Sequence, residues 1–515
     1  MSTRLQEVVI VGGGSAGWLT AGVLAAEHGS GTGSGIRVTL VESPDVQTVG
    51  VGEGTWPSMR DTLRKMGVSE SAFITGCDAS FKQASRFARW VTGADDDVYY
   101  HPFVLPQGYG QVNTVPLWLS RYRGHRFADV ASYQPHLCEM GKAPKQFATP
   151  EFAAVANYAY HLDAGKFGQF LQKFCTEQLG VRHVVDHVQG IAAADGGDIR
   201  ALETASRGRI EGDLFVDCTG FSSLLLGQHY KVPFISRKST LFCDTALAMQ
   251  VQYASPDSPI ASHTLSTAQS AGWIWDIGLP SRRGVGHVYS KAHTSDEQAE
   301  RELIAYVEAT GGQAGVPRKI SINPGHRQVF WHRNCVAVGI SAGFIEPLEA
   351  SALALVELSA AMISDELPAT RELMDVVAKR FNERFSYRWD RIVEFLKLHY
   401  LLSRRSDTDF WIDNRRSETV PSRLLELLEL WRYRAPSRRD FHEIEEIFPA
   451  ASYQYVLYGM GFQPEQKGPE RRSEDSARAE AQFREGDALT RKFLSGLPSN
   501  RELVDHVRMH GLPKI

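Results

Sequence analysis

The sequence predicts an α/β fold: a parallel sheet with packed helices, followed by a largely helical lobe. Three observations carry this. The chain opens with an apolar strand, a glycine-rich turn and an apolar helix in direct succession. Two further apolar segments, Asp213 to Phe221 and Cys335 to Ile340, reach glycine turns much later in the chain. From about Leu367 the apolar residues recur at helical spacing instead of in strand-like runs.

Taken in order, Val8-Val9-Ile10-Val11 reads as a strand buried on both faces. Gly12-Gly13-Gly14-Ser15-Ala16-Gly17 follows, then a helix through Trp18 to Ala25. A Gly/Ser loop from Gly29 to Gly35 leads into Arg37-Val38-Thr39-Leu40-Val41, which ends at Glu42. This is a βαβ unit with a Gly-x-Gly-x-x-Gly turn and an acidic residue closing its second strand. Such a unit binds a dinucleotide. Gly12 allows the tight turn, Gly14 lets backbone approach a pyrophosphate, and Gly17 lets helix pack on strand. The helix N-terminus faces the phosphates, and Glu42 is placed for ribose hydroxyls. The longer reach to Glu42 is the length of the Gly/Ser loop.

Further on, Ile392, Phe395, Leu396, His399 and Leu402 share a helical face, with Arg384, Arg388 and Arg391 read as its solvated basic side. Gln466 to Glu485 is polar, contains Gly468-Pro469, and reads as a loop; Asn500 to Val507 reads as a helix. A single cut between residues 1–365 and 366–515 separates the sheet-bearing region from the helical one. No internal repeat is visible.

The 515 residues carry 56 basic and 60 acidic side chains, a net charge of −4, with 43% apolar residues. This balance gives no footprint for nucleic acid or an anionic membrane surface. Six dispersed cysteines lack metal-ligand spacing and read as reduced thiols, and the histidines suggest no metal site. The N-terminus enters a strand almost at once, and no apolar run approaches the ~20 residues of a membrane span. The chain is read as cytoplasmic.

One more segment stands out. Gly272-Trp273-Ile274-Trp275-Asp276-Ile277 pairs two tryptophans around one residue. Together with the glycine fingerprint it resembles the flavin-dependent halogenases of the tryptophan-halogenase family, whose signature is Trp-x-Trp-x-Ile-Pro. Gly278 stands at the proline position, and Pro280 follows two residues later. The resemblance extends over nearly the whole chain. Val49-Gly50-Val51-Gly52-Glu53-Gly54-Thr55 is similar to the family's flavin-contacting loop. Ala79-Ser80-Phe81-Lys82 matches a motif that ends in the catalytic lysine. His101-Pro102-Phe103 matches a segment packed on the aromatic substrate, and Tyr160 to Ala164 is a further family-like block. Pro347-Leu348-Glu349 matches the segment with the catalytic glutamate, although Ala350-Ser351-Ala352 replaces the family's Ser-Thr-Gly.

The resemblance implies an FAD-binding, Rossmann-like fold of the aromatic-monooxygenase type. It also implies an enzyme that uses FADH2 from a separate reductase, oxygen and chloride or bromide to form hypohalous acid. Lys82 would hold that oxidant, as a haloamine or by a hydrogen bond, and deliver it to an electron-rich aromatic such as indole. Glu349 would stabilise the ring cation and take the ring proton. The flavin contacts carried over are Gly12, Gly14, Ala16, Gly17, Glu42, Val51, Val188, Ile340 and Leu353; the halide contacts are the amides of Ser351 and Ala352. His101, Phe103 and Phe448 would meet the substrate. Trp273 and Trp275 would obstruct direct access of substrate to the flavin; the plainer reading makes them core residues on opposite faces of a strand. Tryptophan-specific relatives place a tyrosine pair, a glutamate and a Phe-Trp pair before the last Tyr-rich segment. Here the tyrosine pair is missing and Pro449 follows Phe448. The clamp for an amino-acid end is therefore read as lost. No metal is implied, and a homodimer is the assembly expected. An FAD-dependent aromatic monooxygenase and a non-catalytic flavin-binding protein stay open as alternatives.

Overall fold

The computed structural model describes residues 4–29, 35–46, 52–444, 446–465 and 473–514. Val51 and its neighbours from 47 lie outside the described residues, as do 466–472. The chain forms two compact units. The first comprises Met1–Ala79, Leu162–Arg237 and Asn323–Trp389, and the second Ser80–His161, Lys238–Ile322 and Asp390–Ile515. The units interleave along the chain, so these bodies do not follow the single cut at 365 and 366.

The first unit is built on a six-stranded sheet. Its order is Trp331–His332, Cys335–Ala337, Leu214–Asp217, Glu7–Val11, Arg37–Glu42 and Arg182–Val185. The three apolar segments singled out in the sequence are thus neighbours. Val9 pairs with Phe215 on one side and Thr39 on the other, and Phe215 pairs in turn with Cys335, all in parallel register. Val8, Val9, Ile10, Val11, Val38 and Leu40 are buried, because a parallel sheet covered on both faces leaves no polar side. The glycine-loop helix, Ser15–His28, is likewise buried from Gly17 to Ala25.

The second unit holds a seven-stranded, mainly antiparallel sheet. Its order is Arg318–Ser321, Thr245–Gln252, Arg282–Tyr289, Gly272–Gly278, His263–Ala268, Ala84–Ala88 and Val98–Pro102. The helix Asp296–Ala309 packs Ala299, Leu303 and Val307 against Leu247, Val251, Ile274 and Val285 of this sheet. Ile274 faces that helix. Trp273 and Trp275 face the other way and stand together, their rings 6.4 Å apart at 63°. The opposite-faces reading is corrected: residues two apart on a strand share a face. Trp273 packs on Trp90, which meets Trp411 and Tyr400.

The later part of the chain is largely helical, with Arg371–Leu401, Ser422–Trp431, Ala450–Gly459, Ser473–Gly496 and Asn500–His510. Two expectations change. The described part of the expected 466–485 loop is helical from Ser473. Ala479 and Phe483, one turn apart, are buried, Phe483 meets Tyr122, and the Tyr122 hydroxyl donates to Glu480 at 2.8 Å. Docking of this stripe outweighs the polar composition. The expected solvated basic face is also only partly so. Arg384 is exposed, whereas Arg388 and Arg391 are buried; Arg391 donates to both carboxylate oxygens of Glu394 at 2.8 and 2.6 Å.

Candidate active site

The first unit contains a cavity of about 480 Å³ at the glycine turn. Gly12, Gly14, Ala16, Glu42, Val188, Ile340, Leu353, Ser351 and Ala352 all line it. Gly17 lies behind the loop. A Cβ there would fall 1.9 Å from the Gly12 carbonyl oxygen, so only glycine lets helix and turn meet. Gly12, at φ +113°, would put a Cβ 2.2 Å from the Cys218 carbonyl oxygen. Gly14 differs: a Cβ there meets nothing within 4 Å. The turn is therefore tight where it touches protein and open where it faces the cavity. That is the shape an approaching pyrophosphate needs, with the amides of helix Ser15–His28 as donors.

Glu42 closes the strand Arg37–Glu42 at the same cavity. His183 Nε2 lies 2.6 Å from its Oε1, and the His183 ring meets Trp18 edge-on at 5.0 Å. Its Oε2 lies so close over Gly13 that a Cβ there would come within 1.4 Å. His183 and Gly13 thus set the carboxylate's place, and nothing local in the sequence announces the histidine. Glu53 also lines the cavity, and burial pushes its carboxyl up to about 7.

The start of the helix Ser351–Asp365 also lines the cavity. Glu349 (φ 64°) and Ala350 (φ 54°) are successive non-glycine residues in the left-handed region. This turn presents the backbone amides of Ser351 and Ala352 at the helix N-terminus, where amides lack intrahelical acceptors. Serine and alanine are sufficient, because the donors are backbone. Glu349 is buried, and its carbonyl accepts from Trp56 Nε1 at 2.7 Å. Trp56 was missed from sequence; the signal was an indole immediately after the glycine-rich segment and before Pro57.

The remaining candidates belong to the second unit. Lys82 ends the strand Ser80–Lys82 and is 1% exposed, with Nζ 5.3 Å from the Phe103 ring centroid. That strand pairs antiparallel with Ala159–Asp163, Ser80 opposite His161 and Lys82 opposite Ala159. Ser80 and Lys82 share a face by strand alternation. Ser80 Oγ donates to the Gly278 carbonyl at 2.6 Å, and Asn500 Nδ2 donates to the Phe81 carbonyl at 3.0 Å. The first bond fixes the lysine strand to the end of the tryptophan strand, and the second fixes it to the helix Asn500–His510. His161 Nε2 pairs with Thr264 Oγ1 at 2.8 Å; burial first, and the Lys82 charge second, hold the imidazole well below its ordinary pKa. His101 Nε2 is 2.9 Å from Ser452 Oγ, and its ring is 5.7 Å from Phe395. Phe448 stacks on Phe395 at 3.9 Å. His101 and Phe448 therefore meet on one aromatic cluster, and Lys82 and Phe103 meet each other.

The family model described as tryptophan halogenase matches residues 7–475. The chain belongs to the tryptophan halogenase family. A tryptophan halogenase from Shewanella frigidimarina NCIMB 400 superposes with a TM-score of 0.95 at 48% identity, covering 100% of this chain and 99% of that one. The tryptophan 6-halogenase SttH of Streptomyces toxytricini is 34% identical over 98% of both chains. BrvH, a flavin-dependent halogenase from Brevundimonas sp. BAL3, superposes with a TM-score of 0.86 at 32% identity, covering 98% of this chain and 99% of that one. The fold is that of the flavin-dependent halogenases, and the chain is a flavin-dependent halogenase, an oxidoreductase acting on aromatic substrates. Family membership implies FAD and halide. No helix among the described residues is long and apolar enough to cross a membrane, and no group of metal-binding side chains occurs among them.

Proposed function

We propose that this halogenase takes FADH2 from a separate reductase and uses it with oxygen and chloride or bromide to halogenate indole or another small electron-rich aromatic, in preference to free tryptophan. The observation that carries this reading is that the glycine turn, Glu42 and the Ser351–Ala352 amides line one cavity. On this reading a dinucleotide and a halide share that space. Bound reduced flavin supplies the oxidising equivalent by reaction with oxygen.

The protein's own groups do the rest. The loop amides and Glu42 would hold the dinucleotide, with Val188, Ile340 and Leu353 as further contacts to it. Val51 is assigned to the same site by resemblance. The amides of Ser351 and Ala352 hold the halide. Lys82 holds the resulting hypohalous acid and delivers it. Its burial strips competing water from the ammonium, which strengthens any hydrogen bond it donates. Glu349 stabilises the ring cation and accepts the ring proton. His101, Phe103 and Phe448 shape the aromatic site, while Trp273 and Trp275 keep substrate from the flavin.

Free tryptophan would bring an ammonium and a carboxylate that must be paired when buried. Pro449 precedes the helix Ala450–Gly459 where tryptophan-specific relatives carry a tryptophan, and it offers neither an aromatic ring nor an indole N–H. The test supplies FADH2 enzymatically to the purified protein, with chloride and bromide in separate reactions, and compares indole, phenols and tryptophan. Halide-dependent product, faster from indole than from tryptophan, is expected. Oxygenated product without halide would establish the monooxygenase alternative. Tryptophan outpacing every simple aromatic would refute the substrate assignment.

A further inference from the structure

Two successive left-handed residues without glycine are a strained way to begin a helix, and such strain persists only where neighbours over-determine it. At Glu349–Ala350 the peptide between them is tied at both ends. Its N–H donates to the Pro347 carbonyl at 2.9 Å, and its C=O accepts from Trp56 Nε1 at 2.7 Å. The first tie is local to the turn. The second comes from a residue 293 positions away in sequence.

The segment that carries Trp56 grips the same helix again further along. Thr62 Oγ1 donates to Glu357 Oε2 at 2.6 Å, and Ser58 Oγ donates to Glu357 Oε1 at 3.2 Å. These side chains anchor the body of the helix, and the Trp56 bond holds the peptide at its start. Without that tie Glu349 and Ala350 would relax out of the left-handed region, and this rotation of φ at both residues would take the carbonyl away from the indole. It would also re-aim the Glu349 side chain and the two amides that follow.

We propose that the Trp56 indole N–H is a positioning group: by holding the Glu349–Ala350 peptide it sets both the aim of Glu349 and the halide-binding amides of Ser351 and Ala352. This deepens, and rests on, the reading that Glu349 and those amides serve halogenation. Trp56 itself touches neither substrate nor halide in this scheme.

The test replaces Trp56 alone with benzothienylalanine, which keeps the ring and exchanges N–H for sulfur, and separately makes Trp56→Phe. Loss of one hydrogen bond that fixes a binding geometry is expected to raise the KM for bromide about tenfold. Halogenated product per flavin oxidised should fall with it. FAD affinity, flavin reoxidation and melting temperature should stay within twofold or a few degrees. A 7-azatryptophan at the position retains the N–H and should restore the wild-type bromide dependence. Crystals soaked in bromide give a readout apart from turnover: the variants should show a reoriented 349–350 peptide and a weakened bromide signal at the Ser351 and Ala352 amides. An unchanged peptide with wild-type bromide occupancy would overturn the proposal. So would a loss that merely follows FAD affinity and melting temperature. A wild-type protein that makes no halide-dependent product would instead overturn the parent reading, and the peptide orientation in the variants would still be read directly.

Discussion

Three glycines of one loop should fail in different ways when given a side chain. A Cβ on Gly12 would lie 2.2 Å from the Cys218 carbonyl oxygen at φ +113°, and one on Gly17 would lie 1.9 Å from the Gly12 carbonyl oxygen. Both obstacles are backbone and cannot swing aside. Gly12→Ala and Gly17→Ala should each cost about 3 kcal/mol or more of stability. At Gly14 a Cβ meets nothing within 4 Å, and φ −77°, ψ −179° suits any residue. Gly14→Val should cost about 1 kcal/mol or less, as a poorer N-cap. The valine side chain should instead enter the space meant for pyrophosphate. Forfeiting one hydrogen bond to a charged group, worth about 1.5–3 kcal/mol, would raise the Kd for FAD roughly 10- to 150-fold. The assay pairs FAD titration by flavin fluorescence with thermal melts of each FAD-free protein. Gly14→Val should melt near wild type and bind FAD at least ~10-fold more weakly; the other two should melt well below it. Unchanged FAD affinity in a normally folded Gly14→Val protein would refute the pyrophosphate placement. A Gly12→Ala protein as stable as wild type would refute the geometry of the turn.

Three more outcomes are expected. Lys82→Ala removes the ammonium beside Phe103; flavin reoxidation should continue while halogenated product disappears, and product at the wild-type rate would remove Lys82 from the mechanism. Glu349→Gln keeps shape and removes charge; by analogy with deleting an oxyanion donor the barrier should rise by ~2.7–4 kcal/mol, and an unchanged rate where chemistry limits turnover would leave Glu349 a structural residue. Glu357 is a stability prediction. Burial raises its carboxyl from 4.5 to about 8, against the opposing hydroxyl hydrogen bonds of Thr62 and Ser58. Between those values the unfolded chain is ionised and the folded chain is not, so its contribution is complete below pH 4.5 and is lost as pH rises through about 8. Glu357→Gln should remove up to ~1.4 kcal/mol of stability loss per pH unit in that window. Denaturant midpoints at pH 5 and 7.5 should then lie closer together than in wild type, and an identical pH slope would refute the raised carboxyl.

What was legible in the sequence is what the backbone demands locally. Each strand of the parallel sheet needs its own buried apolar run, so Val8–Val11, Leu214–Phe215 and Cys335–Ala337 announce themselves although they lie hundreds of residues apart. Gly12 and Gly17 are legible for the same reason: each is forced by a carbonyl oxygen within 2.2 Å of a would-be Cβ. Side-chain tethers across long sequence separations leave no such trace. His183 reaches Glu42 from 141 positions away and Trp56 reaches Glu349 from 293, and neither distance has a period to detect. Composition misled where packing overrode it. The polar stretch from Ser473 is helical because Ala479 and Phe483 are buried, and Arg391 leaves the solvent because Glu394, three residues on, neutralises it. These failures follow one rule. The sequence reveals where main chain must bend or be buried, and so reveals the floor of the cavity. The groups that aim a carboxylate or hold a peptide in a strained turn are chosen by three-dimensional proximity. They are therefore where substitutions in this chain should alter halogenation without altering the fold, and Trp56 is the position at which that difference is most directly measurable.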